Sequence, residues 1–201
     1  MTHKYLSTLF TDDVKAAQAE NGSRAAYARF DGPAEADELT EAEADFIAVG
    51  DSFYMATVSE NGWPYIQHRG GPAGFLKMLD TKTLAFADFR GNRQHISVGN
   101  IAHDDRVSLF LMDYPRQARL KILGRMQAVD LADKPELAAS LATPGHKAKI
   151  ERALVIKVEA FDWNCPQHIT QRFTLAEIEP AVSSLRAKIA DLEAKLAERA
   201  A

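Results

Sequence analysis

Apolar and polar residues recur with two different periods along this chain, and the change of period marks its parts. Up to residue 50 the spacing is helical. Asp12 to Phe30 is Ala-rich, with Thr11 or Asp12 placed to cap a helix through Ala19 and Asn21-Gly22 placed to stop it. A second short helix is expected over Arg24 to Phe30, followed by a turn at Asp31-Gly32-Pro33. Thr40 and Glu43 have capping-box spacing, and Phe46, Ile47 and Val49 give the next helix an apolar face that ends at Gly50.

From Ser52 the period is that of strands. Phe53–Ser59, Trp63–Arg69, Phe75–Leu79, Leu84–Asp88, Arg106–Asp113, Arg119–Val129 and Ala153–Ala160 all read as strands. Turn residues separate them, at Glu60-Asn61-Gly62, Asp80–Lys82 and Tyr114-Pro115-Arg116, and Gly70–Gly74 is a flexible break. Helices are expected over Asn92–Ala102 and over Lys134–Leu141, the latter with Pro135 in its first turn and a break at Thr143-Pro144-Gly145. Hairpin-like strand spacing with irregularly inserted helices predicts a mainly β, α+β fold. The expected architecture from this spacing is a closed antiparallel barrel of six to seven strands with helical additions rather than a doubly wound parallel sheet. It would occupy residues 51–173, after an N-terminal helical segment at 1–50.

Residues 174–201 follow a third pattern. Ile178, Val182, Leu185, Ile189, Leu192 and Leu196 alternate at spacings of four and three, a heptad seam with Val182 and Ile189 at a and Leu185 and Leu192 at d. Such a seam suits a parallel two-stranded coil or an amphipathic helix laid on its own barrel. Pro180 is expected to start this helix.

Composition narrows the function. With 201 residues, 46% hydrophobic and 26% charged, the chain is expected to be one soluble domain with appendages. Its net charge of −4 argues against general binding to nucleic acid or to acidic membranes, so any anion site must be local. The single cysteine, Cys165, excludes an internal disulfide and fits a reducing compartment. Neither a signal-peptide core nor a run of ~20 apolar residues is present, so a cytoplasmic location is expected. HExxH, GxSxG and P-loop patterns are absent. His103-Asp104-Asp105 reads as a turn rather than a metal site, and His146 as part of a solvated helix face. Cys165 reads as a small buried residue or, alternatively, a thiol near a redox site.

Arg90-Gly91-Asn92-Arg93-Gln94 is the candidate chemistry. Guanidinium and amide donors there follow a strand and enter a helix, as binding of a phosphate monoester requires, with Ser97 one turn on. His68-Arg69 ends another strand, and Lys77 lies on the next. Cations gathered in a barrel mouth are costly unless an anion balances them, which predicts a phosphorylated ligand. Arg119 and Lys121 share one strand face, either as its solvent side or as positive charge beside an electron-accepting ring.

Three stretches in this order resemble the pyridoxamine 5'-phosphate oxidase-like family of FMN-binding split barrels: ATVSENGWPYIQHRG, LAFADFRGNRQHIS and DDRVSLFL. FDWNCPQHITQRF, from Phe161 to Phe173, is similar to the tail motif of one bacterial branch. The resemblance implies that His68 and Arg69 serve the ribityl and phosphate groups of FMN. It implies that Asn92, Arg93 and Gln94 grip the phosphate, with Ser97 and Lys77 within reach. Arg119 would face the polar edge of the isoalloxazine. Trp163, Asn164 and Gln167 would belong to a segment that closes over the flavin. It further implies a homodimer with FMN at the interface and oxidoreductase activity on an unidentified small molecule; the alternative is a non-catalytic FMN- or haem-binding protein. Authentic pyridoxamine-phosphate oxidases end in an arginine-rich tail, whereas this chain has Gln171-Arg172-Phe173 and the heptad helix. Oxidation of vitamin B6 is therefore not expected.

Overall fold

The computed structural model describes residues 4–143, 148–163 and 165–200. The chain forms two units. One comprises residues up to Met112 together with Arg119–Cys165, and the other Asp113–Ala118 together with residues from Pro166 onward.

The first unit opens with short helices. Helices α1 (Lys4–Leu9), α2 (Asp12–Glu20) and α3 (Arg24–Tyr27) precede a 3-10 turn at Ala28–Phe30. Thr11 caps α2, accepting a hydrogen bond from the Val14 amide at 3.4 Å, and Gly22 stops it at a φ of 73°. Helix α1 was not expected from the sequence. It buries Tyr5 and packs on the last strand. Helix α4 (Glu41–Val49) carries the expected capping box between Thr40 and Glu43.

Seven strands follow: β1 (Ser52–Val58), β2 (Pro64–Gly70), β3 (Lys77–Asp80), β4 (Thr83–Phe89), β5 (Arg106–Asp113), β6 (Ala118–Val129) and β7 (Ile150–Trp163). Helix α5 (Ile96–His103) lies between β4 and β5, and α6 (Pro135–Leu141) between β6 and β7. The strand order is β2-β1-β5-β6-β7-β4-β3. Phe75 and Leu76, expected in the third strand, are instead buried loop residues, and β3 starts at Lys77.

The sheet is not the closed barrel that strand spacing predicts: its edge strands β2 and β3 do not pair, yet it curls strongly on itself. Strands β1 and β4 are four steps apart, which would separate them by ~19 Å in a flat sheet. Instead the rings of Phe53 on β1 and Phe86 on β4 meet edge to face at 5.3 Å. The inward residues Met55, Leu84, Leu109, Leu120, Ile122, Leu154 and Ile156 fill the space between. Strand β4 is buried on both faces because α6 covers its outer side through Leu141, which explains its unbroken apolar run. Gly124 sits where the β6–β7 register shifts, and a Cβ there would lie 2.6 Å from the Lys157 carbonyl oxygen. Only glycine lets the two strands approach so closely.

In the second unit Gln117 donates to the Ile169 carbonyl at 2.5 Å, and the Arg172 guanidinium lies 4.9 Å from the Tyr114 ring centroid. Helix α7 (Leu175–Ala200) follows. Its start is set by a second capping box, in which Glu177 accepts from the Thr174 amide at 2.7 Å. Pro180 therefore lies inside the helix and does not start it. Among the described residues no helix is long and apolar enough to cross a membrane.

Candidate functional site

The open side of the curled sheet holds a cleft between β2, the β4–α5 loop and the start of β7. Alternation along β2 turns Tyr65, Gln67 and Arg69 into it and leaves Pro64, Ile66 and His68 on the exposed face. At its base the Arg69 guanidinium donates to the Asp88 carboxylate at 2.8 Å, with side-chain exposures of only 15% and 9%. These residues lie on β2 and β4, five strand positions apart, so this pair clasps the two ends of the sheet. Arg152 reaches both carboxylates, at 3.4 Å from Asp88 and 3.7 Å from Glu151. Arg90 and Arg93 stand at the rim, 4.0 and 3.8 Å from Glu151.

Arg69 and Arg93 line the cleft with Asp88 and Glu151, and Arg90 and Arg152, outside the lining, pair with the same two carboxylates, so the ion-pair cluster around the cleft has a surplus of two positive charges. Among the described residues the buried Nε atoms of Arg69 and Arg152 have no hydrogen-bond partner, although that of Arg152 forms the 3.4 Å ion pair with Asp88. A buried donor without an acceptor is unfavourable by about 1–3 kcal/mol.

The loop above the base is preformed. The Gln94 amide donates to the Asn92 side chain at 3.1 Å, closing an Asx turn. Arg93 and His95 adopt left-handed backbone conformations, with φ of 60° and 54°. These two residues hold the chain out of a helix, so α5 starts at Ile96 and not at the expected Asn92. The start of α5, at Ile96, Ser97 and Val98, borders the cleft, where amide donors and the helix dipole favour an anion. The Ser97 hydroxyl donates to Gln67 at 2.9 Å and fixes α5 against β2.

Of the residues singled out in the sequence, Arg69, Asn92, Arg93, Gln94 and Ser97 converge here. The others are elsewhere. His68 is exposed on the opposite face of β2, with its ring 5.5 Å from that of Tyr54. Lys77 is at the start of β3 and does not line the cleft. Arg119 lies on β6 with a buried Nε that has no partner. Lys121 is paired with Asp162 at 2.7 Å and lies 4.6 Å from the centroid of Tyr5. Burial, then the Asp162 charge, raises the Tyr5 pKa. Gln167 is exposed in the second unit, and Asn164 lies outside the described residues. Cys165, read as a small buried residue, is exposed.

Trp163 is anchored rather than free. Its indole donates to Glu43 at 2.5 Å, and its ring packs edge to face on Phe46 at 4.8 Å. Burial pushes the Glu43 pKa up, but hydrogen bonds from Thr40 and Trp163 outweigh it and leave the carboxyl below its ordinary 4.5. The unfolded chain therefore takes up this proton first on acidification. Glu43 contributes stability above pH ~4.5 and loses it as pH falls through its lower folded value. Urea unfolding across pH 3–6 should show Glu43→Gln losing less stability on acidification than the parent chain. Equal acid slopes would show that Glu43 carries none of it.

Sequence reasoning missed Gln67, Asp88, Glu151 and Arg152. Period-two counting back from Arg69 points to Gln67 and Tyr65. For Asp88 and Arg152 the signal is a charge inside otherwise apolar strands, a placement that requires a partner.

A curled, open antiparallel sheet with a cleft at its split edge describes a split barrel. The chain belongs to the pyridoxamine 5'-phosphate oxidase family, whose sequence model matches residues 39–164. Among solved structures, HupZ of Group A Streptococcus is 18% identical, with a TM-score of 0.51 over 67% of this chain and 99% of that one. A single-site variant of HupZ, with alanine in place of a histidine, gives the same identity and TM-score over 63% and 99%. A Clostridium acetobutylicum protein related to general stress protein 26, of the pyridoxinephosphate oxidase family, is 16% identical at a TM-score of 0.46 over 68% and 94%. At these identities the likeness to HupZ concerns the fold alone. No curated protein matches the sequence.

Proposed function

We propose that this protein is an FMN-dependent oxidoreductase acting on a small organic molecule, and that it works as a homodimer with FMN at the interface. The charge balance of the cleft carries the proposal. With Arg90 and Arg152 behind the lining counted, the surrounding cluster's surplus of two positive charges matches the roughly −1.5 to −2 of a phosphate monoester near neutral pH. The unpartnered Arg69 Nε gives that group a waiting donor. Arg69 and Arg93 would hold the phosphate oxygens, with Asn92, Gln94 and the first amides of α5 completing the shell. Arg119, whose Nε also lacks a partner, would serve the polar edge of the flavin ring. When bound, FMN supplies the redox chemistry, while the protein binds, orients and excludes water.

The cleft has a volume of about 60 Å³. That suits a phosphate group but falls well below the ~300–1,000 Å³ of pockets that enclose whole small molecules. A second copy of the chain, meeting the open side of the cleft, would cover the rest of the flavin.

The test is the visible spectrum of the purified protein and of the chromophore released from it. A flavin spectrum is expected, and a colourless protein that takes up no added FMN overturns the proposal. Arg93→Ala should weaken FMN binding by ~1.5–3 kcal/mol, the loss of one charge-assisted hydrogen bond, as read by fluorescence titration. Unchanged affinity would move the phosphate elsewhere. Anaerobic mixing with NADH or NADPH then tests turnover. Reduction no faster than that of free FMN would identify a flavin-binding protein without oxidoreductase activity.

A further inference from the structure

We propose that α7 pairs with α7 of a second copy of this chain as a parallel two-stranded coiled coil. The proposal uses none of the residues that line the cleft and stands whether or not the barrel binds FMN. Helix α7 has 26 residues, a length of about 39 Å. Leu175, Ile178, Val182, Leu185, Ile189, Leu192 and Leu196 fill every a and d position of α7 except the last, the d position in its final turn, which is Arg199. No residue of α7 is buried, and Leu185, Ile189 and Leu192 are 62%, 55% and 50% exposed. Such a continuous exposed stripe of large side chains marks an interaction surface.

The charges beside the stripe select the occupant. In a parallel pair, Lys188 at g faces Glu193 at e of the other copy, and symmetry repeats the contact. The remaining g-to-e' contacts, Thr174 with Glu179, Ala181 with Arg186 and Lys195 with Ala200, bring no like charges together. The antiparallel register that keeps the stripe overlapped behaves differently. It sets Arg186 against Arg186, Lys188 against Lys188 and Glu179 against Glu193. Like charges in those positions disfavour that orientation.

Two further features fit a pair. The positions facing away from the stripe are mostly small or polar: Ser183, Ala187, Ala190, Asp191, Ala194 and Ala197. They offer no second apolar face to a third helix. Pro180 falls at f, on the outer side, so its missing amide leaves the seam uninterrupted.

Directed crosslinking of the full-length chain in a Cys165→Ser background tests the proposal. Leu185→Cys places a thiol at d, where parallel helices bring the two copies together, and Ala187→Cys places one at f, facing outward. In a glutathione redox buffer, Leu185→Cys should form an intermolecular disulfide to at least ~10-fold greater extent than Ala187→Cys, because pairing raises the local thiol concentration. Both residues are exposed, so circular dichroism should show the parent fold in each variant. Equal crosslinking of the two variants overturns the proposal, and so does its absence from both, which would mean that another surface covers the stripe. Preferential crosslinking of Leu185→Cys chains to Ile189→Cys chains, with neither linking to itself, would show an antiparallel pair and overturn it too.

Discussion

Replacing Arg69 with alanine is expected to lower the unfolding free energy by about 3–5 kcal/mol, the cost of leaving a buried charge without its partner. Asp88 is almost fully enclosed, and after the substitution only Arg152, at 3.4 Å, remains to balance it. The replacement also unclasps β2 from β4, the contact that draws the ends of the sheet together. The double variant Arg69→Met/Asp88→Leu should recover most of the loss, since apolar side chains of similar size can replace a buried pair at little cost. FMN affinity should fall in both variants, because neither keeps the guanidinium. Urea unfolding and flavin titration therefore separate the two roles of Arg69. A single-variant loss under about 0.5 kcal/mol, within the range of ordinary surface changes, would refute the structural role.

Phe86→Ala should be similarly severe, at about 3–5 kcal/mol, from lost apolar burial and the cavity left behind. Phe86 is 1% exposed and meets Phe53 and Phe75 edge to face, at 5.3 and 6.3 Å. Its surroundings come from both halves of the curled sheet, so they cannot collapse together without uncurling it. The Arg69 guanidinium also rests 5.7 Å from the Phe86 ring centroid. The variant should therefore weaken flavin binding although Phe86 does not line the cleft. Full stability in Phe86→Ala would show that the two halves do not depend on this ring.

The fold was legible in the sequence because most strands carry their own period-two or continuous apolar signal, and most turns a glycine, asparagine or proline. The Thr40–Glu43 box likewise locates α4 without tertiary information. Features that depend on partners distant in sequence were less visible. Arg69 and Asn92–Gln94 stand out as cations and amides on connections. Asp88, Glu151 and Arg152 join them only through the β4–β7 pairing, which sets Asp88 opposite Arg152. The start of α5 was misplaced by four residues because Arg93 and His95 take left-handed conformations without glycine to announce them. The start of α7 was misplaced for a different reason. Thr174 and Glu177 form a second capping box, a signal present in the sequence, whereas Pro180 mimics a first-turn proline one turn further on. Helix α1 has too few residues for a periodic signal, and its Tyr5 is buried by packing against β7.

The clasp at the base of the cleft also orders events during synthesis. Arg69, Asp88, Arg90 and Arg93 emerge early, while Glu151 and Arg152 arrive about sixty residues later on the last strand. Until β7 inserts between β6 and β4, the early segment has cations without the second carboxylate and an edge strand without a neighbour. Pairing across so long a stretch of chain is slow, because the loop must close before any contact rewards it. The ion-pair cluster at the cleft is therefore expected to be completed late in folding, when β7 pairs with β4. Acquisition of a phosphorylated ligand by a nascent chain would report that the whole sheet has been assembled.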